Sequence, residues 1–353
     1  MKERVVTALG FLTLAFALAV VLLAPAPAAG QAQKAQGTSA ATKPAPAAKP
    51  WTVSRTPDGV PDLQGYWTNN SYTPLERPDG VTKDFYTKEE LRAVEKKNAE
   101  REEEQTVPGT IPDVHYDFTQ FGLDRSQTRL TDNLRTSVIT NPENGKLPPV
   151  TPEGQKRAAD RAAERKRQGA QYDQVQNIPI GSRCVYMNGA PPMMPPAYNP
   201  AYQIVQGPGN VTILVEMLHE TRVIPTDGRP HAPADVRSWL GDSRGHWEGD
   251  TLVVETTNFN EKVAFRGASE NVKITERFTR LSDDAIRYEF TVDDPSTWER
   301  AWKGEMPFVK INGPVFEHAC HEGNYGIANT LAGARREDKR AAEEAAAKKA
   351  GAK

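Results

Sequence analysis

Ser243–Phe259, SRGHWEGDTLVVETTNF, is a short aromatic run, a Gly249-Asp250 pair and a longer β-branched run. Gly and Asp tolerate the positive φ of a two-residue hairpin turn, so the stretch reads as strand, tight turn, strand. The same format extends outward from Tyr202 to Phe308. Leu252, Val254, Thr256 and Asn258 share one face of the second strand and grow polar towards one end. That gradient describes a wall leading to a wetter rim.

On the N-terminal side, Val211, Ile213, Val215, Met217 and His219 alternate with Thr212, Leu214, Glu216 and Leu218, and Thr221 to Pro225 follows before the Asp227-Gly228 turn. On the C-terminal side, Val272, Ile274, Glu276, Phe278 and Arg280 share a face, as do Ile286, Tyr288, Phe290 and Val292. For these faces to meet in an antiparallel pair, opposed residues must have numbers with an even sum, which an odd loop such as Ser282-Asp283-Asp284 provides. From Trp298 to Phe308, Trp298, Arg300, Trp302, Met306 and Phe308 alternate with Glu299, Ala301, Lys303 and Glu305. Two charges, Glu276 and Arg300, thus fall on apolar faces. A lone buried charge costs several kcal/mol, so the two are partners, ligand contacts, or a wet pair at a pore mouth.

The fold class is mainly β: an antiparallel meander forming a lipocalin-like barrel or a sandwich, with two peripheral helices. The single long meander favours the barrel. The first helix opens on the capping box Thr87 and Glu90 and runs to about Gln105. The second opens at Thr151-Pro152 and ends near Gly169. Ser137–Thr140 and Lys146–Val150 flank Asn144-Gly145 as a small hairpin or a turn.

Lys2 and Arg4 precede an apolar run from Val5 to Ala24 and a small-residue stretch, a signal peptide over 1–30. Its rival is an uncleaved anchor, but the Ala/Pro-rich segment that follows favours cleavage, with no stable membrane insertion afterwards. No Cys follows that could take a lipid. Residues 31–50, almost wholly Ala, Pro, Lys, Gln, Ser and Thr, form a disordered linker, because they cannot bury enough apolar surface to offset ordering. A single β-rich domain with helical insertions occupies 51–334, and 335–353 is a charged Ala-rich tail, as a solvated helix or frayed end. The 44 basic and 46 acidic residues give a net charge of -2 with neither sign gathered in a patch, which excludes nucleic acid as a partner. The expected location is periplasmic or secreted.

Cys184 and Cys320 are the only cysteines, and an exported chain with an even count pairs them. The bridge would close a loop worth about 5 kcal/mol in the chain-entropy model. It would bring the Pro-rich segment after Cys184 to His321 and Glu322, which lie in the reactive run His318-Ala-Cys-His-Glu322. His318, His321, Glu322 and the two cysteines match no zinc spacing, so no metal and no cofactor is expected. A second polar cluster joins His219, Arg222, His231, Asp242, Arg244 and His246, either as a rim over a barrel mouth with Trp247 as aromatic wall or as caps and solvated side chains. Met193, Met194 and Tyr198 lie in a Pro-dense loop and either plug the core or contact an apolar ligand. GxSxG, Walker, GxGxxG and HExxH patterns are absent, which removes nucleotide and common hydrolase readings.

PDLQGYW, RTSVITNPENGKLPP, YQIVQGPGNVTILVEM, WLGDSRGHWEGDTLVVETTNF, YEFTVDDPSTW and ACHEGNYG together resemble a family of uncharacterised exported bacterial proteins, over most of Pro61 to Arg335. The resemblance brings no activity with it. Gly65-Tyr66-Trp67 also resembles the G-x-W signature near the first strand of lipocalin-like barrels. Three functions fit these residues. The first is a barrel holding a small apolar or aromatic ligand in its interior, with Trp247, Trp298, Trp302, Tyr288 and Phe290 as walls, and His219 and Arg244 at the rim. Glu276 and Arg300 would be its polar anchors. The second is a hydrolase, lyase or isomerase in the same cavity, in which His321 (beside Glu322) or Glu276 moves a proton and Arg300 or Arg244 steadies an anion. The third is an envelope interaction protein.

Overall fold

The computed structural model describes residues 51–103, 130–187, 189–195, 199–263 and 265–351. The leader, the linker, Gln105 and Tyr198 lie outside the described residues. Ten strands are present: β1 (Gly65–Thr68), β2 (Ile139–Asn141), β3 (Ala201–Gly207), β4 (Asn210–Val215), β5 (Thr221–Pro225), β6 (Asp242–Glu248), β7 (Thr251–Thr257), β8 (Lys273–Ser282), β9 (Ala285–Asp293) and β10 (Trp302–Lys310). Three helices accompany them: α1 (Lys88–Glu103), α2 (Pro152–Arg167) and α3 (Gly326–Gly351).

The hairpin forms as its sequence requires, with Glu248 opposite Thr251 across a two-residue turn and Gly249 at φ 60°. Phe278 stands opposite Tyr288 and Arg280 opposite Ile286, the even-sum register that puts both apolar faces inward. Nine strands pair in the order β5-β4-β3-β1-β10-β9-β8-β7-β6, every pair antiparallel, and close nearly into a barrel. Read around the circle this is chain order, an up-and-down meander with one break between β5 and β6. Strand β2 takes the place beside β10 that the short β1 leaves vacant.

The break falls at the one junction that parity makes parallel. Antiparallel neighbours alternate in direction, so an odd number of strands leaves one pair pointing the same way. That pair is β5 and β6. Arg222 meets Ser243, its Nη2 donating to Oγ at 3.3 Å, and two residues on, Ile224 packs against Gly245, so the two strands advance together. Parallel neighbours cannot share a tight hairpin; they need a crossover that returns the chain. Residues 226–241 make that return. Asn258 pins the crossover by donating to the carbonyls of Ala232, Pro233 and Val236, and Asp242 holds His231 Nδ1 at 2.7 Å.

Inside, Trp67, Tyr202, Phe278, Tyr288, Phe290, Trp302 and Phe308 are fully buried and fill the barrel. Edge-to-face contacts order them, with Phe290 and Trp298 each near-perpendicular to Trp302 at 5.7 Å. At one end, the base, Arg280 donates to the carbonyls of Asp62, Ser282 and Asp283 and lies over the Trp67 ring. The other end, the mouth, receives the Pro-dense loop, whose Met193 N donates to Tyr288 Oη.

Several expectations change. Helix α3 begins at Gly326, ahead of the expected Arg335, so the tail takes the helical form and three helices stand among the described residues. Lys146–Val150 does not pair with β2; Gly145 closes a turn onto Pro142, and β2 pairs with β10. Strand β4 stops at Val215, and Met217–His219 forms a 3-10 turn that leaves His219 exposed at φ 53°. Strand β10 begins only at Trp302, so Arg300 does not face inward. Asp294, at the end of β9, bends the chain by accepting from Ser269 N, Ser296 Oγ and Thr297 Oγ1. The helix starts agree, with Thr87 and Glu90 exchanging both capping bonds and Thr151 Oγ1 accepting from Gly154 N.

A Cβ at Gly245 would come within 2.9 Å of Ile224 Cγ2, a buried side chain with no room to yield. We therefore expect Gly245→Val to cost about 1–3 kcal/mol in chemical denaturation. A midpoint equal to wild type would show that β5 does not pack on β6.

Candidate functional site

The mouth half of the barrel holds one charged pair in its interior. Arg222 projects inward from β5 beside Ile224, and Glu276 projects inward from β8 between Ile274 and Phe278; both are essentially excluded from solvent. The pair is bidentate: Arg222 Nη1 donates to Glu276 Oε1 at 3.0 Å and Nη2 to Oε2 at 2.5 Å. Tyr288 donates its hydroxyl proton to Glu276 Oε1 at 2.9 Å, and Ser243 Oγ lies 2.9 Å from Thr256 Oγ1 beside the guanidinium. Burial works to lower the Arg222 pKa, but the Glu276 carboxylate outweighs it and holds the group charged. Burial, with Glu276 close by, raises the Tyr288 pKa well above that of an ordinary phenol.

The Pro-dense loop sits directly above this network. Met193 N donates to Tyr288 Oη at 2.9 Å, Asn69 Nδ2 donates to Met193 O at 2.6 Å, and the Met193 side chain is buried in the core. Glu220 anchors the preceding segment by accepting from the backbone of Met187 at 2.9 Å and of Gly189. Tyr186 stacks on Trp239 of the crossover with ring centroids 6.2 Å apart.

Two clefts open on either side of the stacked pair. One, of about 310 Å³, lies on the seam between β5 and β6, with Arg222 and Ser243 at its floor and Trp239 and Leu240 as walls. The other, of about 280 Å³, lies between the Pro-dense loop (Tyr186, Met187, Pro192, Met194) and the turn that carries Val263 and Phe265. Phe265 stacks on Trp302 at 6.1 Å, so this wall is continuous with the core.

The remaining candidates are scattered. Trp298, Trp302 and Tyr288 are core side chains that line neither of these two clefts. Trp247 is half-buried opposite Leu252, towards the base. Arg244 pairs with Asp242 at 2.7 Å and donates to Pro230 O. His219 Nε2 accepts from His318 N at 2.8 Å. Arg300, His321 and Glu322 are exposed, and the structure does not bring them to Glu276. Cys184 and Cys320 are disulfide-bonded with Cα atoms 5.8 Å apart, which ties the mouth-covering segment to the chain after β10. Among the described residues no group of His, Cys, Asp and Glu could hold a metal ion, and no helix is long and apolar enough to cross a membrane.

Sequence alternation offered Arg300 as one partner for Glu276, and the structure supplies Arg222. Arg222 was visible in the polar cluster, and its alternation with Ile224 in a short strand was the signal that it points inward.

No family model matches the chain, and no curated protein matches it. Among solved structures, it is similar to a secretary abundant heat soluble (SAHS) protein from Ramazzottius varieornatus, at 9% identity and a TM-score of 0.22, over 31% of this chain and 69% of that one. The barrel assignment rests on strand pairing alone.

Two outcomes test the buried network. Glu276→Gln leaves Arg222 buried without a counter-charge and is expected to cost about 3–5 kcal/mol, more than the joint change Arg222→Met, Glu276→Leu. Equal losses in chemical denaturation would refute the pairing. Tyr288 and Tyr202 both have pKa values raised by burial, so the native state keeps protons that the unfolded state releases above about pH 10. Their contribution is intact below that pH and lost above it, at up to about 1.4 kcal/mol per tyrosine per pH unit. A denaturation midpoint unchanged from about pH 9 to 11, or tyrosinate absorbance appearing fully in the native state, would contradict this.

Proposed function

We propose that the protein is an exported binding protein that takes a small apolar or aromatic molecule at the barrel mouth. The ligand lies in the cleft between the Pro-dense loop and Phe265. One observation carries the reading: an open cleft with Met187, Pro192, Met194 and Phe265 in its lining stands at the mouth of a barrel whose interior aromatic side chains already fill it. Ligand-sized space is at the mouth, and the apolar body would rest on Met187, Met194 and Phe265. Export is supported by the disulfide and by the leader pattern of the sequence.

The binding reading is preferred to proton transfer at Glu276. Both carboxylate oxygens already accept from Arg222, and one also accepts from Tyr288, inside a solvent-excluded barrel. A general base needs a free lone pair within reach of substrate.

A neutral fluorescent probe such as N-phenylnaphthylamine should bind with saturable, blue-shifted emission. Met187→Trp, which places a larger ring in the cleft, should weaken that binding about ten-fold or more while leaving the melting temperature near wild type. Unchanged affinity in the folded variant would remove the ligand from this cleft.

A further inference from the structure

The charged groups on the mouth cleft are both cations. Lys262 and Arg266 line it from the turn that carries Val263 and Phe265, facing the apolar loop of Met187, Pro192 and Met194. Both are exposed, and neither forms an ion pair or side-chain hydrogen bond among the described residues. The nearest acidic residue in the chain, Glu261, does not line the cleft, and its field acts on Arg161 of α2.

Backbone hydrogen bonds hold the residues around each cation. Asn260 Oδ1 accepts from Lys262 N at 3.0 Å, Val263 N closes onto Asn260 O at 2.9 Å, and Ala268 N closes onto Phe265 O at 3.0 Å. Arg266 sits at φ 52°, in the left-handed region that an arginine rarely adopts. Such a residue persists where the surroundings over-determine it, and these positions cluster at ligand sites. Its neighbours Val263 and Ala268 are buried and Phe265 rests on Trp302, so the guanidinium is carried by a turn anchored in the core.

Resting on the binding reading above, we propose that the cleft selects an anion: an aromatic or alicyclic body bearing one carboxylate-type head. The body lies on Met187, Met194 and Phe265, and the head is held between Lys262 and Arg266. A charge-assisted contact to a carboxylate is about twice as strong as a neutral one, so these two side chains provide discrimination while the apolar walls provide the bulk of the contact.

The test compares three probes with the same ring system: naphthoate, naphthalenemethanol and naphthylmethylammonium, titrated onto the full chain by calorimetry. Naphthoate should bind about ten-fold or more tighter than the other two, and the gap should narrow in high salt. The double substitution Lys262→Gln, Arg266→Asn should erase the gap and leave naphthalenemethanol affinity unchanged. Asn tolerates the left-handed backbone, and both positions are exposed, so the fold survives. Equal binding of all three probes to wild type, abolished by Met187→Trp, would overturn the anion inference and leave the cleft standing. A naphthoate preference that survives the double substitution would overturn the roles of Lys262 and Arg266. Binding of none of the three would overturn both this inference and the cleft reading.

Discussion

An up-and-down barrel of nine strands cannot close through antiparallel pairs alone, and much of this structure follows from that parity. The unpaired junction falls between β5 and β6, where the neighbours run parallel with no backbone ladder between them and side chains bridge the gap. Arg222 reaches Ser243, Ile224 packs on Gly245, and the crossover is fastened by Asn258 and by Asp242 with His231. Gly245 is a packing requirement: any side chain there would meet Ile224.

The same junction explains why an ion pair stands in an otherwise aromatic interior. Arg222 is on the strand that lacks a ladder on one side, and its guanidinium spans the barrel to Glu276 on β8. The desolvation cost is offset by bidentate geometry and by the bonds from Tyr288 and to Ser243. With those bonds made, Glu276 Oε1 accepts two and Oε2 one, all inside a solvent-excluded barrel. The network also positions the mouth cover, because the Tyr288 hydroxyl that donates to Glu276 accepts from Met193 of the Pro-dense loop. Barrel interior and mouth cleft are thereby joined in one chain of contacts, with Phe265 on Trp302 as the apolar counterpart.

What the sequence made legible was whatever local periodicity controls. The Gly249-Asp250 hairpin, the inward faces of β8 and β9, the even-sum register and the two helix caps were readable from spacing, and the cysteine pairing from an even count in a chain with an export leader. What it hid depends on distant partners. Strand β2 has too few residues to declare a partner, and only β10 supplies one. Arg300 kept the alternation of the following strand on paper, but Asp294 gathers Ser269, Ser296 and Thr297 into a bend that breaks the phase before β10 begins. The parity of the barrel turns on whether the four residues of β1 count as a strand, which local sequence cannot decide. The cationic turn was missed because Lys262 and Arg266 belong to no periodic segment; the loop that faces them is far away in sequence.

The Cys184–Cys320 bond has a mechanical meaning beyond holding the mouth segment. Strands β3 to β10 all lie within the 136-residue interval it spans, whereas β1, β2 and the three helices lie outside. Tension applied at the two ends of the domain therefore passes through the sulfurs and bypasses eight of the nine barrel strands. The load falls on β1, held between β3 and β10 by a few backbone bonds, and on β2, held on β10, and a stretched molecule would lose these two while β3 to β10 stayed slack inside a covalent hoop.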